Sequence, residues 1–104
     1  MDIVLNVYRL CKELPGEEKF GLSSQMKRCS VSISSNIAEG SAKRSSKDYV
    51  KFLEISLGSA YELETQVLIA DQLGYGNKEL RNLILSDLDE EQKMLQSFIN
   101  KVEK

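Results

Sequence analysis

Apolar side chains recur along this chain at intervals of three and four residues, and one proline, Pro15, interrupts the pattern. Residues three or four positions apart share one face of an α-helix, so this spacing is typical of amphipathic helices. Proline ends a helix near the residue before it, and the segment Gly74-Tyr75-Gly76 marks a later break. The pattern predicts four helices, over about 2–14, 22–42, 46–73 and 77–102.

Short connections join these predicted helices, so consecutive helices should pack side by side and run in opposite directions. Ser45, with Asp48 three residues later, has the pattern of a capping box for the third helix, and Ser23 or Ser24 is a candidate cap for the second. The sequence therefore predicts an all-α fold, an antiparallel up-down-up-down four-helix bundle, as one domain over residues 1–104.

The predicted third helix carries a second apolar stripe, about 100° from its main one. Its members are Val50, Leu57, Tyr61 and Leu68. A helix that is apolar on two faces must bury both of them. Either the second stripe forms a subunit interface, together with Val31 and Ala38, or the third helix is the enclosed central helix of a monomer.

The chain contains no histidine, which removes the most common general base and the imidazole ligands of most zinc and di-iron sites. Cys11 and Cys29 fall on apolar stripes, where a thiol behaves as a small hydrophobic group. Five carboxylates could converge inside a bundle as a metal site, but solvated surface groups are the favoured interpretation: Glu39, Glu62, Glu64, Asp87 and Glu91. We predict no catalytic residues, no metal and no cofactor.

A polar stripe runs beside the apolar stripe of the predicted second helix. It consists of Gln25, Arg28, Ser32, Asn36 and Glu39. Such a stripe at the edge of a core forms either a small polar pocket or a hydrogen-bonded network that fixes helix register or a subunit contact. The network is the favoured interpretation, because no nucleophile and base have a suitable spacing.

Positive charge is concentrated in the middle of the chain, although the whole chain has a net charge of −2. Residues 26–51 hold six basic side chains against Glu39 and Asp48. The six are Lys27, Arg28, Lys43, Arg44, Lys47 and Lys51. Such a patch is a candidate phosphate-binding surface for RNA or DNA, and the alternative is an ordinary solvated surface.

Several segments together have a distinctive sequence. Residues 32–40 read Ser-Ile-Ser-Ser-Asn-Ile-Ala-Glu-Gly, within the run 25–40, and residues 52–59 and 62–64 read Phe-Leu-Glu-Ile-Ser-Leu-Gly-Ser and Glu-Leu-Glu. With Leu14-Pro15 and Leu73-Gly74-Tyr75, this pattern resembles the 23S rRNA-intervening-sequence family of bacterial four-helix-bundle proteins. The resemblance covers nearly the whole chain.

The resemblance implies a ring-like homopentamer without enzymatic activity. Some relatives are encoded within insertions in ribosomal RNA genes, and a related accessory protein of diversity-generating retroelements binds nucleic acid and a reverse transcriptase through a basic surface. Relatives usually carry another helical turn or two before the position of Asp2, so the first helix here should cover less of the bundle.

No apolar run approaches the roughly 18 residues of a membrane span, and the N-terminus lacks a secretory signal, so we expect a cytoplasmic protein without membrane contact. The sequence favours a non-enzymatic, homo-oligomeric scaffold that binds RNA or DNA weakly. A protein-binding adaptor without a nucleic-acid role is the alternative, because the pI is near 5.2.

Overall fold

The computed structural model describes residues 2–103, whose backbone forms four α-helices and one short 3-10 turn. The helices are α1 (Asp2–Cys11), α2 (Leu22–Ser41), α3 (Ser46–Gln72) and α4 (Lys78–Glu103), and the 3-10 turn Gly16–Glu18 lies between α1 and α2. Residues 2–103 contain no strand, which confirms the predicted all-α class.

Hydrogen bonds between α2 and α3 fix the relative direction of these two helices. Ser56 donates to the backbone carbonyl oxygen of Ile33 at 2.8 Å, and Gln66, later in α3, donates to Gln25, earlier in α2, at 3.5 Å. Residue numbers rise along α3 as they fall along α2. The two helices therefore run antiparallel.

The other helix pairs follow the same rule. At the two ends of the α3–α4 pair, Asp71 contacts Arg81 and Tyr49 contacts Phe98. Between α1 and α2, the Cys11 thiol donates to the carbonyl oxygen of Ser23 and the ammonium of Lys27 lies over the ring of Tyr8, so these helices also run antiparallel, and α1 packs against α4 as well. The helices thus form an up-down-up-down bundle about 44 Å long.

Helix α1 ends at Cys11, three residues earlier than the predicted end at Leu14. The backbone N–H of Glu13 and that of Leu14 donate to the carbonyl oxygens of Leu10 and Cys11, three residues back, so the chain tightens into a turn. The residue before a proline is disfavoured in the helical region, and Pro15 follows directly. The chain leaves the helix while Leu14 remains buried.

The buried core has two parts along the bundle axis. The larger cluster includes Val7 and Leu10 of α1, with residues of α2, α3 and α4 around them. The smaller cluster consists of Val50, Leu53, Leu95 and Ile99, and it contains no residue of α1. A fully buried side chain of this size stabilises the fold by about 1.5–3 kcal/mol. The larger cluster is therefore enclosed by all four helices, whereas the smaller cluster is enclosed by α3, α4 and, through Ile37, α2.

Side chains cross-link the end of the bundle that holds the α1–α2 and α3–α4 connections, which we call the pinned end. The Glu13 carboxylate accepts the backbone N–H of Asn77 at 2.7 Å, and the Tyr75 hydroxyl donates to Glu18 at 3.4 Å. Arg81 donates to the carbonyl oxygens of Tyr75 and Gly76. These bonds join both connections into one unit.

Candidate nucleic-acid interface

The opposite end of the bundle carries four of the predicted phosphate-binding residues. Lys43 and Arg44 lie in the connection between α2 and α3, and Lys47 and Lys51 lie in the first two turns of α3. All four side chains are exposed. We call these four residues the basic corner.

Local sequence explains why the chain turns here. The hydroxyl of Ser45 accepts the backbone N–H of Asp48 at 3.1 Å, which caps α3 as the sequence predicts. Gly40 lets the end of α2 lie close to α3, because an added Cβ would be 2.8 Å from the Cβ of Phe52. The cap and the close approach determine where the chain turns.

The positive charges of the basic corner repel one another and the N-terminus of α3. The N-terminus of a helix carries a partial positive charge, so basic side chains in its first turns are disfavoured there, and Asp48 is the only acidic residue in that turn. Within residues 2–103, no carboxylate lies within 4 Å of any of the four cationic groups. The corner therefore concentrates positive charge that an external anion would stabilise.

One lysine of the corner has an internal contact. The ammonium of Lys43 lies 5.0 Å from the centre of the Phe52 ring, a cation–π arrangement. This contact holds the charge near the bundle surface without neutralising it. Lys47 and Lys51 line a depression of about 620 Å³ between the start of α3 and the end of α4.

The structure separates the other two predicted phosphate contacts from the corner. Lys27 and Arg28 lie in the first half of α2, about 20 Å from its end at the helical rise of 1.5 Å per residue. The ammonium of Lys27 lies over the ring of Tyr8, 5.2 Å from its centre. The six basic residues therefore form two groups, and only four of them make up the corner.

Three residues of the predicted polar stripe take part in hydrogen bonds along α2 or with α3. Gln25 accepts from Gln66 on α3, Ser32 shares a 2.9 Å hydrogen bond with Ser59, and Asn36 donates to the carbonyl and hydroxyl oxygens of Ser32. The other two members, Arg28 and Glu39, are exposed. The stripe is thus part of a ladder between two helices.

The α3 side of this ladder was not among the predicted site residues. Its members are Ser56, Ser59, Glu62 and Gln66, whose spacings of three, three and four residues place them on one face. That spacing is the signal that could have revealed them. The Cys29 thiol joins the ladder by donating to the Glu62 carboxylate at 2.7 Å.

The environment of Cys29 makes it a poor nucleophile. Burial raises the pKa of the Cys29 thiol to about 11, and the hydrogen bond to Glu62 adds to the rise. Burial also raises the pKa of the Cys11 thiol. Because the thiolate is the reactive form, both shifts lower the reactivity of these cysteines.

The four residues of the predicted interface stripe on α3 differ in their exposure to solvent. Tyr61 is 49% exposed and Leu68 is 46% exposed, while Leu57 is half-buried. Val50, predicted as part of an oligomer interface, is instead 8% exposed and packs in the smaller core cluster with Leu95. The end of α4 covers that part of α3, which the periodicity of α3 alone does not indicate.

The outer face of α3 also exposes apolar residues that the prediction omitted. Ile55 and Ile69 are exposed, and Gly58 lies between them on the same face. A Cβ added at Gly58 would meet nothing within 4 Å, so nothing inside the chain explains a glycine in mid-helix. We call Ile55, Gly58, Tyr61, Leu68 and Ile69 together the apolar outer face of α3, and the exposed residues Glu54 and Thr65 lie among them.

Comparison with known families decides the relationship of the chain. A family model described as 23S rRNA-intervening sequence protein matches residues 1–97 of this chain. The chain belongs to the 23S rRNA-intervening sequence protein family. This membership confirms the resemblance inferred from the sequence, whereas the relation to the retroelement accessory protein stays a prediction.

A solved structure shares the fold of this member of the 23S rRNA-intervening sequence protein family. It is the 1.70 Å crystal structure of a protein with unknown function from the S23 ribosomal protein family of Bacteroides thetaiotaomicron VPI-5482. The two chains have 31% sequence identity and a TM-score of 0.86, and the match covers 95% of this chain and 89% of that chain. A search of curated proteins finds no match.

The helices give one further constraint on this family member. Across residues 2–103, no helix combines the length and the apolar character needed to cross a membrane.

Proposed function

We propose that this protein is a non-enzymatic, homo-oligomeric helical scaffold that binds RNA or DNA through its basic corner. The observation that carries the proposal is a set of four exposed cationic side chains in the α2–α3 connection and the first two turns of α3, none of which has a carboxylate of residues 2–103 within 4 Å. Phosphate groups interact favourably with such a helix terminus and with lysine and arginine side chains. The contact would be electrostatic and nearly independent of base sequence.

The names of the related family and structure refer to ribosomal RNA and to a ribosomal protein. The family is called 23S rRNA-intervening sequence protein, and the similar structure comes from the S23 ribosomal protein family. A phosphate-binding surface is compatible with both names. The polar ladder between α2 and α3 then has a structural role, since it fixes the register that positions the corner.

Assembly would strengthen a weak site. One corner provides few phosphate contacts, but several corners on one oligomer bind a long nucleic acid together, and the effective concentration for the second contact is high. The apolar outer face of α3 supplies a surface for such assembly, and Gly58 would permit close approach of a second subunit. The family resemblance implies five subunits.

A titration tests nucleic-acid binding. We expect structured RNA and duplex DNA to bind the protein at low salt, with an affinity that falls as salt rises because counterions are released. The triple variant Lys43→Ala, Arg44→Ala, Lys47→Ala should bind at least about tenfold more weakly at low salt, because three phosphate contacts are lost. Fluorescence anisotropy with labelled nucleic acid measures both effects.

A second triple variant controls for net charge. Lys12→Ala, Lys19→Ala, Lys78→Ala removes three exposed lysines at the pinned end, so it should bind almost as well as the unmodified protein. Equal losses in both variants would show that only overall charge matters and would contradict the basic corner. Absence of binding at low salt would favour the protein-binding adaptor, which the net charge of −2 also supports.

A separate experiment tests assembly. Leu68→Glu or Tyr61→Glu places a charge on the apolar outer face of α3, and burying it in an interface would be costly. We expect sedimentation velocity to show dissociation to monomers while circular dichroism keeps its helical signal, since both side chains are exposed. Leu83→Glu, on the exposed side of α4, should stay assembled. An unchanged mass for Leu68→Glu would exclude this face as the interface.

A further inference from the structure

Phe52 of α3 is an aromatic residue that lies outside the core. Its side chain is half-buried and belongs to neither of the two core clusters, whereas Leu53, the next residue, is fully buried in the smaller cluster. An aromatic side chain stabilises a fold mainly through the large apolar area that it buries in the core. Core packing therefore does not explain why this position holds an aromatic ring.

The contacts of Phe52 place its ring in the basic corner. The ammonium of Lys43 lies over the ring, 5.0 Å from its centre. A Cβ added at Gly40 would be 2.8 Å from the Cβ of Phe52, so the end of α2 packs against this side chain and the connection carries Lys43 across it. Lys51 directly precedes Phe52 along α3, and Lys47 lies about 7.5 Å away along the helix axis at 1.5 Å per residue.

Lys43 covers the outward face of the Phe52 ring. Because Lys43 is exposed to solvent, the ring face beneath its ammonium points away from the bundle. A cation–π contact at an exposed site is weak. A ligand can therefore displace the ammonium and take its place on the ring.

We propose that the basic corner binds single-stranded nucleic acid, with one unpaired base stacked on the Phe52 ring. The base replaces the ammonium of Lys43, which turns to a backbone phosphate beside Lys47 and Lys51. Base stacking on an aromatic ring is stronger than an exposed cation–π contact and tolerates any base sequence. This inference rests on the proposed function and adds the class of nucleic acid to it.

Stacking on Phe52 discriminates between single strands and duplexes. In a duplex, each base is stacked between its neighbours and must leave the helix before a protein side chain can contact its face. An unpaired base presents its face without that cost. Charge alone predicts the opposite order, because a duplex carries more phosphates than a single strand of the same length. A preference for the single strand would therefore reveal the stacked base.

A second pair of lysine and phenylalanine, at the pinned end, supplies a control. The ammonium of Lys19 lies 5.5 Å from the centre of the Phe20 ring, and Phe20 is 89% exposed. Its neighbours in the chain include the acidic residues Glu17 and Glu18. This ring is more accessible than that of Phe52 but lies away from the basic corner, so Phe20→Leu is the control for Phe52→Leu.

Fluorescence anisotropy at low salt tests the preference. The probes are labelled RNA and DNA strands of about 12 nucleotides without self-complementarity, together with their duplexes. We expect the unmodified protein to bind a single strand at least as tightly as its duplex. Phe52→Leu should weaken the single strand by about tenfold, the typical effect of losing one stacked base, and leave the duplex unchanged. Phe20→Leu should change neither.

RNA and DNA share the base and the phosphate that this site recognises. Tighter binding of one strand identifies which of the two the corner prefers, and the effect of Phe52→Leu should appear with that strand. Phe52→Tyr keeps the aromatic face and should bind single strands like the unmodified protein. Circular dichroism should show the same helical signal for all three variants, since neither Phe52 nor Phe20 belongs to a core cluster.

A fluorescent base reports the stacking itself. The fluorescence of 2-aminopurine falls when the base stacks on an aromatic ring. A single strand that contains 2-aminopurine should therefore lose fluorescence on binding to the unmodified protein, and much less on binding to Phe52→Leu at saturating protein. This measurement on the unmodified protein does not depend on the folding of any variant.

Tighter binding of the duplex than of the single strand by the unmodified protein would overturn the proposal. Equal weakening of both by Phe52→Leu would show that Phe52 only shapes the corner, and unchanged 2-aminopurine fluorescence on binding would exclude the stacked base. In each case, binding that the Lys43, Arg44, Lys47 triple variant loses would still support the proposed function. Absence of binding by every probe would reject both.

Discussion

Replacing Arg81 with methionine should lower the free energy of unfolding by about 3 kcal/mol, because a buried charged donor with several partners is lost. Arg81 is 6% exposed, and its guanidinium donates to Asp71 at 2.8 Å and to the carbonyl oxygens of Tyr75 and Gly76 at 2.6 and 2.5 Å. Asp71 is partly solvated and can rehydrate, so most of the loss comes from the two carbonyl groups. Urea denaturation measures it as a lower midpoint at unchanged slope.

Lys93→Met is the matched control for this variant. Lys93 pairs with Asp89 at 2.9 Å on the surface of α4, where both side chains are more than half exposed to water. Exposed ion pairs within one helix contribute little, so the urea midpoint should barely change. A similar midpoint for Arg81→Met and the unmodified protein would show that the α3–α4 connection does not depend on Arg81.

Replacing Gly40 with alanine should destabilise the protein by about 2 kcal/mol, although alanine favours helix over glycine by roughly 0.5–1 kcal/mol. The new Cβ would lie 2.8 Å from the Cβ of Phe52 and 3.0 Å from a ring carbon of Tyr49. The Cβ of Phe52 is fixed to the α3 backbone and cannot rotate away, so α2 and α3 must separate. Thermal and urea denaturation both report the loss.

Gly58→Ala gives the opposite sign and serves as the control. Gly58 lies in the middle of α3, and nothing lies within 4 Å of its added Cβ. The protein should gain roughly 0.5–1 kcal/mol under conditions where it is monomeric, from helix propensity alone. If both alanine variants stabilised the protein equally, the close approach at Gly40 would not limit the packing of α2 on α3.

The sequence predicted the helices well because their apolar residues follow one period throughout. The predicted bounds of α2 and α3 differ from the structure by one residue at their C-terminal ends, and those of α4 by one residue at each end. The capping of α2 was predicted wrongly. Ser23 is buried inside the helix, and the Glu18 side chain accepts the backbone N–H of Leu22 instead. Such a cap depends on the 3-10 turn before it, which no helical period reveals.

The candidate site was harder to predict because it depends on distances between helices. Arg28 and Lys43 both fall within the basic segment 26–51, but Arg28 lies in the first half of α2 and Lys43 lies beyond its end. Counting charge over that segment therefore merged two separate groups. Val50 shares its stripe with Leu68, yet only Leu68 is free, since α4 covers the first turns of α3. Periodicity identifies a face of a helix and leaves open which neighbour covers it.

The side-chain cross-links at the pinned end imply that the free energy of local opening differs between the two ends of the bundle. Bonds involving Glu13, Tyr75 and Arg81 hold that end together, whereas the far end relies on the smaller core cluster. Local opening requires less free energy where fewer buried contacts must break. Transient opening should therefore begin at the far end, so that the basic corner belongs to the part of the molecule that can most easily adjust its shape to a ligand.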